Sequence, residues 1–416
     1  MAYNWQMDDW PKFTFDQSVI EDKLYLFSEK TGLVSGIIKT LPEDARIEAM
    51  IEIMVAEAIK TSEIEGEFLN RKDVMSSIRR ALGLISKDEK IGDKRSVGIG
   101  ELMIDVRETY KADLTKEQLF DWHKMLLPDS KGVIVGAWRD HAEPMQVISG
   151  PYGKEKVHFE APPSTRVAYE MERFIDWFNN SGPGGKHEIK KAPIRSAIAH
   201  LYFESIHPFE DGNGRIGRVI AEKALSQGMG RPALLSLSKT IELKRSAYYD
   251  ALKTAQSTLN ITPWMDYFVD LTLQAQLFAE EQIDYTLSKT KFFDKFNGKL
   301  NERQLKLVRK VFDEGPKGFE GGINTSKYVS ITKSPKATAT RDLQDLLAKG
   351  AIENLGTGGG RSTKYRLNTD FDERLDRSNR ESFVEHLRTA IRDQEAAIRS
   401  KKETLQDPGD GLHIRR

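Results

Sequence analysis

His207-Pro-Phe-Glu-Asp-Gly-Asn-Gly-Arg-Ile-Gly-Arg218 includes, among its twelve residues, a base, a carboxylate, the two flexible glycines Gly212 and Gly214, an amide and two arginines. Upstream, Lys191 to Ile206 carries Ile194, Ile198, Leu201 and Ile206 at helical spacing, and Pro193 suits a first helical turn. Downstream, Ile216, Val219, Ile220, Ala224 and Leu225 mark one face of a second helix. The stretch therefore reads as a tight loop between two helices, its end opening the second.

That arrangement suits a phosphate. The amides of Gly212, Asn213 and Gly214 can form a nest, and the helix beginning beside them adds a positive dipole end. Arg215 and Arg218 offer forked donors to phosphate oxygens. Asp211 is a hard oxygen ligand fit for magnesium shared with a diphosphate. His207 titrates near neutrality and can take a proton from a hydroxyl nucleophile. A lone histidine is usually structural and a lone Gly-Asn-Gly is usually a turn; here all these residue types coincide at fixed spacing.

The stretch resembles the signature of the Fic family, His-Pro-Phe-x-(Asp/Glu)-Gly-Asn-Gly-Arg-x-x-Arg, at every fixed position. The resemblance implies a mainly α fold: a Fic helical core with a β-hairpin flap, which transfers AMP from ATP to a protein hydroxyl and releases pyrophosphate. It implies His207 as general base and Phe209 as the anchor of the loop, with Asp211 on magnesium. Nucleotide contacts would run from Pro208, Phe209, Glu210 and Asp211 through Gly212, Asn213 and Gly214 to Arg215 and Arg218. The kinase-like branch has Lys where Gly214 stands, and this chain does not.

Between Pro42 and Gly66, Ile47, Met50, Ile51, Met54, Val55, Ala58 and Ile59 follow helical spacing and run into Thr61-Ser-Glu-Ile-Glu-Gly66. Thr61, Glu65 and Gly66 match the family's autoinhibitory pattern, (Ser/Thr)-x-x-x-Glu-(Gly/Asn), at the place of the subclass with an N-terminal inhibitory helix. The resemblance implies that Glu65 pairs with Arg218 and keeps it from the ATP γ-phosphate. The bland alternative is a solvated glutamate at a helix end.

Bulk properties restrict the classes. The 416 residues suggest two to four domains. Lys plus Arg equals Asp plus Glu at 63 each, so no global charge points to nucleic acid or membrane. With no cysteine, disulfides, thiolate metal sites and cysteine nucleophiles are excluded, which fits a cytoplasmic location. The opening residues do not resemble a signal peptide, and no apolar run approaches a membrane span.

Four segments follow: an N-terminal helical region over 1–90, a catalytic core over 91–296, a third unit over 297–368 and a charged helical tail over 369–416. Trp5, Trp10, Phe13 and Phe15 read as a small packed lid, and His123 as a structural histidine. Val147 to Ser149 and Val157 to Phe159 flank Gly150-Pro-Tyr-Gly153 and read as a hairpin. A hairpin here resembles the Fic flap, whose open edge would hold a target segment, with the nucleotide beneath Val147, Ile148, Ser149 and Gly150. His141 and His158 have no metal-ligand spacing. Tyr248 and Tyr249 stand where the family places a tyrosine pair near adenine and ribose; Gln256 replaces a frequent family Asn.

From Leu300 to Leu367 three helical patterns, two short strand patterns and a Gly-rich loop (Gly356 to Thr363) resemble a winged helix-turn-helix. Nine lysines and five arginines against three aspartates and four glutamates give residues 299–368 a net +7. DNA is thus a possible partner, through Thr338, Thr340 and Arg341 in a groove and Arg361 and Lys364 at phosphates. The expected activity is that of a nucleotidyltransferase, a protein adenylyltransferase using ATP and Mg2+ on a Ser, Thr or Tyr hydroxyl of a target protein or of itself, restrained by Glu65. Alternatives are hydrolytic removal of AMP, with Glu65 orienting a water, and a DNA-binding regulator that uses the Fic domain as a nucleotide sensor. No membrane partner is expected; a homodimer is compatible.

Overall fold

The structure, a computed structural model, describes residues 2–86, 91–149, 156–314, 318–355 and 363–369. It is mainly helical. After two short 3-10 turns come α1 (Glu21–Thr40), α2 (Glu43–Ile64), α3 (Arg71–Ala81), α4 (Lys94–Glu108) and α5 (Lys116–Leu126). The hairpin β1 (Gln146–Ser149) and β2 (Lys156–Glu160) precedes α6 (Ser164–Asn180), α7 (Ala192–Ile206) and α8 (Asn213–Met229). Then follow α9 (Leu237–Leu243), α10 (Arg245–Ala255) and α11 (Thr262–Lys295). Side-chain caps start several helices: Asn70 accepts from the amides of Lys72 and Asp73, and Thr115 from that of Gln118.

The apolar residues of α7 at helical spacing suggest one buried face. The structure corrects this: every residue from Ala192 to Ile206 is buried. The helix lies between two cores. Ala199, Tyr202, Phe203 and Ile206 face one, shared with α2, α4, α5 and α6. Ala192, Ile194, Ala197, Ile198 and Leu201 face the other, shared with α1, α9 and α11. Polar residues inside α7 must therefore find partners within the protein, and one of them, Glu204, lines the site described below.

Two chain reversals shape that site. At the end of α2, Gly66 adopts a left-handed conformation (φ 82°). Its amide bonds to the carbonyl of Glu63, and the amide of Glu67 bonds to that of Ser62, closing the helix in a Schellman turn. Beyond Ile206, His207 is itself left-handed (φ 51°, ψ 60°), a conformation uncommon outside glycine and concentrated at functional sites. Strands β1 and β2 are antiparallel, pairing Gln146 with Glu160 and Val147 with Phe159; an irregularity after Val147 then shifts the register, so that Ile148 faces Val157. Gly150 lies outside the described residues, as do the side chains of Ile148 and Ser149.

A compact first unit spans residues 1–290 and a second begins at Lys291. The second contains α12 (Glu302–Asp313), α13 (Thr325–Thr332), α14 (Lys336–Ala348), β3 (Ile352–Asn354) and β4 (Tyr365–Leu367). β3 and β4 are antiparallel, and Ile323 bridges to Tyr365. Asp342 of α14 ties the three helices together: it accepts from the Tyr328 hydroxyl at 2.7 Å and from Arg303 Nε at 2.8 Å. Thr340 and Arg341 are exposed on α14 and Thr338 is half-buried. Arg361, most of the Gly356–Thr363 loop and the tail from residue 370 lie outside the described residues.

Candidate active site

The α7–α8 loop is held from three directions. Phe209 is fully buried and stacks on His123, with ring centroids 4.0 Å apart. The Asn213 side chain accepts from the Phe209 amide (2.9 Å) and donates to its carbonyl (2.8 Å), copying a backbone pairing across the turn. Arg139, buried, donates through Nε to the carbonyl of His207 (2.8 Å), and its own amide bonds to the carbonyl of Pro208. His123 accepts the Gly136 amide at Nδ1 (2.9 Å), which places its proton on Nε2, 3.0 Å from the Asp211 carbonyl. His123 is therefore structural, as its sequence context suggests.

Gly212 (φ 79°, ψ 2°) forms the N-cap of α8, a conformation that the absence of a Cβ permits. The loop borders a cavity of about 670 Å³, within the range of small-molecule sites. His207, Asp211, Gly212, Asn213, Gly214 and Arg218 line it, with Glu65 against Gly214 and Arg218. Val147, His158 and Phe159 of the hairpin lie over it, and Arg245, Tyr248, Tyr249 and Gln256 form the far wall. Glu210 borders the cavity too, but its Oε2 accepts the Ile134 amide. Pro208, Phe209 and Arg215 are not among its lining residues. Tyr248 is buried with its hydroxyl 2.7 Å from His200, while Tyr249 is 38% exposed.

Arg218 is almost fully enclosed. Its Nε donates to Thr61 Oγ1 (2.7 Å), and Nη2 to the Thr61 carbonyl (3.0 Å) and to Glu65 Oε1 (2.7 Å). Burial alone would raise the Glu65 carboxyl, but Arg218, with Arg215 and Arg245 behind it, outweighs burial and holds the pKa below the usual range. Glu65 is thus ionised. The Gly214 position leaves it no slack: a Cβ there would sit 2.5 Å from Glu65 Oε1.

Burial, reinforced by Arg139, lowers His207 to about 4; the Glu204 main-chain carbonyl beside the ring, and after it the Glu65 and Asp211 carboxylates, offset this only in part. The imidazole is therefore neutral at physiological pH and can receive a proton. Asp211 is more exposed; its Oδ1 accepts the Gly212 amide at 2.6 Å. His141 and His158 form no metal pair: among the described residues no group of three or more His, Cys, Asp or Glu could hold an ion.

Sequence reasoning did not single out Glu67, Glu204 or Arg245. Glu204 left no signal of its own, being one polar residue of α7 among Arg195, Ser196, His200 and Ser205. Glu67 and Arg245 left none beyond their position near recognised residues.

Residues 113–225 match the model of the Fic/DOC family, and residues 3–84 match a domain of unknown function (DUF4172). The chain is 22% identical over 317 residues to a protein adenylyltransferase Fic from Drosophila grimshawi, covering 74% of this chain and 60% of that protein. It is 27% identical over 165 residues to the Drosophila willistoni enzyme of that name, covering 39% and 28%. It thus spans less than two thirds of the length of these relatives. The fold is similar to that of a crystallised Fic family protein from Desulfovibrio desulfuricans G20, with a TM-score of 0.51 at 20% identity, covering 87% of this chain and 99% of the other. This chain carries a Fic domain, homologous to that of the protein adenylyltransferases.

Proposed function

We propose that the protein transfers AMP from ATP to a Ser, Thr or Tyr hydroxyl of a protein, itself included, and that Glu65 restrains it at rest. One observation carries the reading: a neutral His207, the Gly212–Gly214 turn and Arg218 line one cavity of nucleotide size, with Arg218 occupied by Glu65 at 2.7 Å. The hydroxyl oxygen attacks the α-phosphorus. Its proton passes to His207 as the bond to the diphosphate breaks. The loop amides, the N-terminus of α8 and Arg218 steady the charge that builds on the departing oxygens. The edge of the hairpin holds the target segment extended, so that its hydroxyl reaches the phosphorus in line.

Magnesium fits the donor set. Asp211 is a partly exposed carboxylate on the cavity wall, and magnesium is commonly held by one or two carboxylates with phosphate oxygens completing its shell. Bound there, the ion would neutralise charge on the diphosphate.

Labelled-ATP incorporation tests the proposal. Glu65→Gly should raise incorporation several-fold or more, because a charge-assisted pair present in the resting state is removed; His207→Ala should abolish it. A flat or reduced signal in Glu65→Gly would sink the restraint. Absence of any adduct by mass spectrometry, in that variant as in the parent, would sink the transfer.

Glu65 is ionised and borders the same cavity, which supports a second reading: it could orient a water for hydrolytic removal of AMP. Loss of AMP from a pre-modified substrate, abolished in Glu65→Gly, would separate the two directions. For the second unit, a winged helix-turn-helix that binds DNA is the reading favoured by exposed Thr340 and Arg341 on α14 and by the basic composition. A salt-sensitive DNA shift on a gel tests it, and no shift at low salt counts against it.

A further inference from the structure

Helix α7 ends one residue before His207, and the left-handed turn there sets the imidazole beside the helix's last turn. Glu204 stands three residues earlier. Its Oε2 lies 3.7 Å from His207 Nδ1, with the two side chains 6% and 14% exposed. Among the described residues, neither the buried Nδ1 of His207 nor the buried Oε1 of Glu204 has a hydrogen-bond partner of good geometry, although the Glu204 main-chain carbonyl also lies near the ring. The carboxyl has little room to leave. Across from it is Gly217 of α8, where a Cβ would be 2.4 Å from Oε1 and 3.2 Å from His200. Gln256 pins the residue's main chain by donating to its carbonyl at 3.1 Å.

A general base in this pocket has two needs. Its free nitrogen must face the hydroxyl, which requires the ring proton on the other nitrogen. The imidazolium it becomes must not stand unpaired next to Arg139, since an uncompensated buried cation is costly. A carboxyl oxygen at Nδ1 meets both. The gap of 3.7 Å is longer than a hydrogen bond, so the pairing requires the two groups to draw together during the reaction.

We infer that Glu204 is a positioning residue for His207: its carboxyl accepts the Nδ1 proton, leaves the other ring nitrogen free toward the cavity, and shelters the imidazolium formed during transfer. No proton leaves Glu204 in this step; the hydroxyl proton goes to His207. Burial raises the Glu204 carboxyl to about 8, with Arg218 opposing and Glu65 adding to the rise. Its ionised form, above that value, can only accept, and so demands a proton on Nδ1. The inference rests on the adenylyl-transfer reading for its kinetic part and on the fold alone for its spectroscopic part.

Two measurements on the full chain test it. The first is the nitrogen chemical shifts of His207 at pH 8.5, in the parent and in Glu204→Leu. The parent should hold its proton on Nδ1, and the Leu variant should move toward the other tautomer. A Leu variant that keeps the Nδ1 proton unchanged, or a parent without one, overturns the inference, whether or not the protein transfers AMP. The second compares Glu204→Gln with its parent in the Glu65→Gly background at pH 8.5, where the Glu204 carboxyl is largely ionised. The isosteric change should lower kcat about ten-fold while KM for ATP stays within about two-fold, as for a group whose effect appears in the transition state. An unchanged kcat, or a loss matched by a rise in KM and a fall in Tm, overturns it. Absence of transfer in the Glu65→Gly parent would count against the proposed function and leave the tautomer result standing.

Discussion

Arg215 Nη1 lies 2.9 Å from Oε2 of Glu67, two residues beyond the glutamate that holds Arg218. The Schellman turn at Gly66 brings both carboxylates to the start of α8, so the segment after α2 grips both arginines of the loop. Arg215 is buried, Glu67 is 27% exposed, and Arg215 does not line the cavity. Breaking this pair should therefore loosen the segment without freeing a phosphate ligand. A partly exposed pair contributes about 0.5–1 kcal/mol, or roughly two- to five-fold in an equilibrium. Glu67→Gln should raise AMP incorporation by about that factor, less than Glu65→Gly does. A Glu67→Gln rate equal to the parent's would show that Arg218 alone carries the restraint.

His123 joins the loop that ends at Gly136 to the carbonyl of Asp211 while stacking on Phe209. His123→Phe keeps the stack and removes both hydrogen bonds. The Gly136 amide then loses its acceptor, at a cost of about 1–3 kcal/mol. Asp211 loses an anchor, so KM for magnesium-ATP should rise together with a lower Tm. A lower Tm with KM unchanged would confine His123 to stability.

The loop was legible because its chemistry is contiguous: base, carboxylate, amides and arginines follow one another, and apolar spacing on either side marks the helices. Glu65 was legible through a short pattern read together with that loop. Glu204 was not, because its role depends on the left-handed turn at His207 and on α8 closing over it through Gly217. Burial of α7 on all sides was equally hidden, since the spacing of Ile194, Ile198 and Leu201 describes one face and says nothing of the elements that cover the rest. Which of two adjacent tyrosines turns inward depends on the register of α10; Tyr248 does, meeting His200 48 residues away in the chain.

In the second unit, Asp342 receives hydrogen bonds from Arg303, Tyr328 and Asn301. These partners outweigh burial and hold its carboxyl below the usual range. Asp342→Ala leaves the buried Tyr328 hydroxyl without an acceptor, and it should destabilise this unit by about 1–3 kcal/mol. Hydrogen exchange should report faster amides on α12 to α14, while the amides of α7 and α8 keep the parent's protection. Loss of protection across both units would mean that the effect is not local.

Glu204 also sets a pH dependence with a defined sign. Burial raises its carboxyl from the ordinary 4.5 to about 8 in the folded protein. Between those values the folded state binds the proton and the unfolded state does not, so its contribution to stability falls as pH rises across that window and is flat below and above it. Glutamine has no proton to lose. The Tm difference between Glu204→Gln and the parent should therefore grow in favour of the variant from pH 5 to pH 8. Glu222, raised by burial to about 7 despite Arg107 beside it, adds a slope of the same sign to both proteins and cancels from the comparison. Equal Tm differences at the two pH values would mean that Glu204 titrates near the ordinary carboxylate range, and that at neutral pH it faces His207 as a carboxylate.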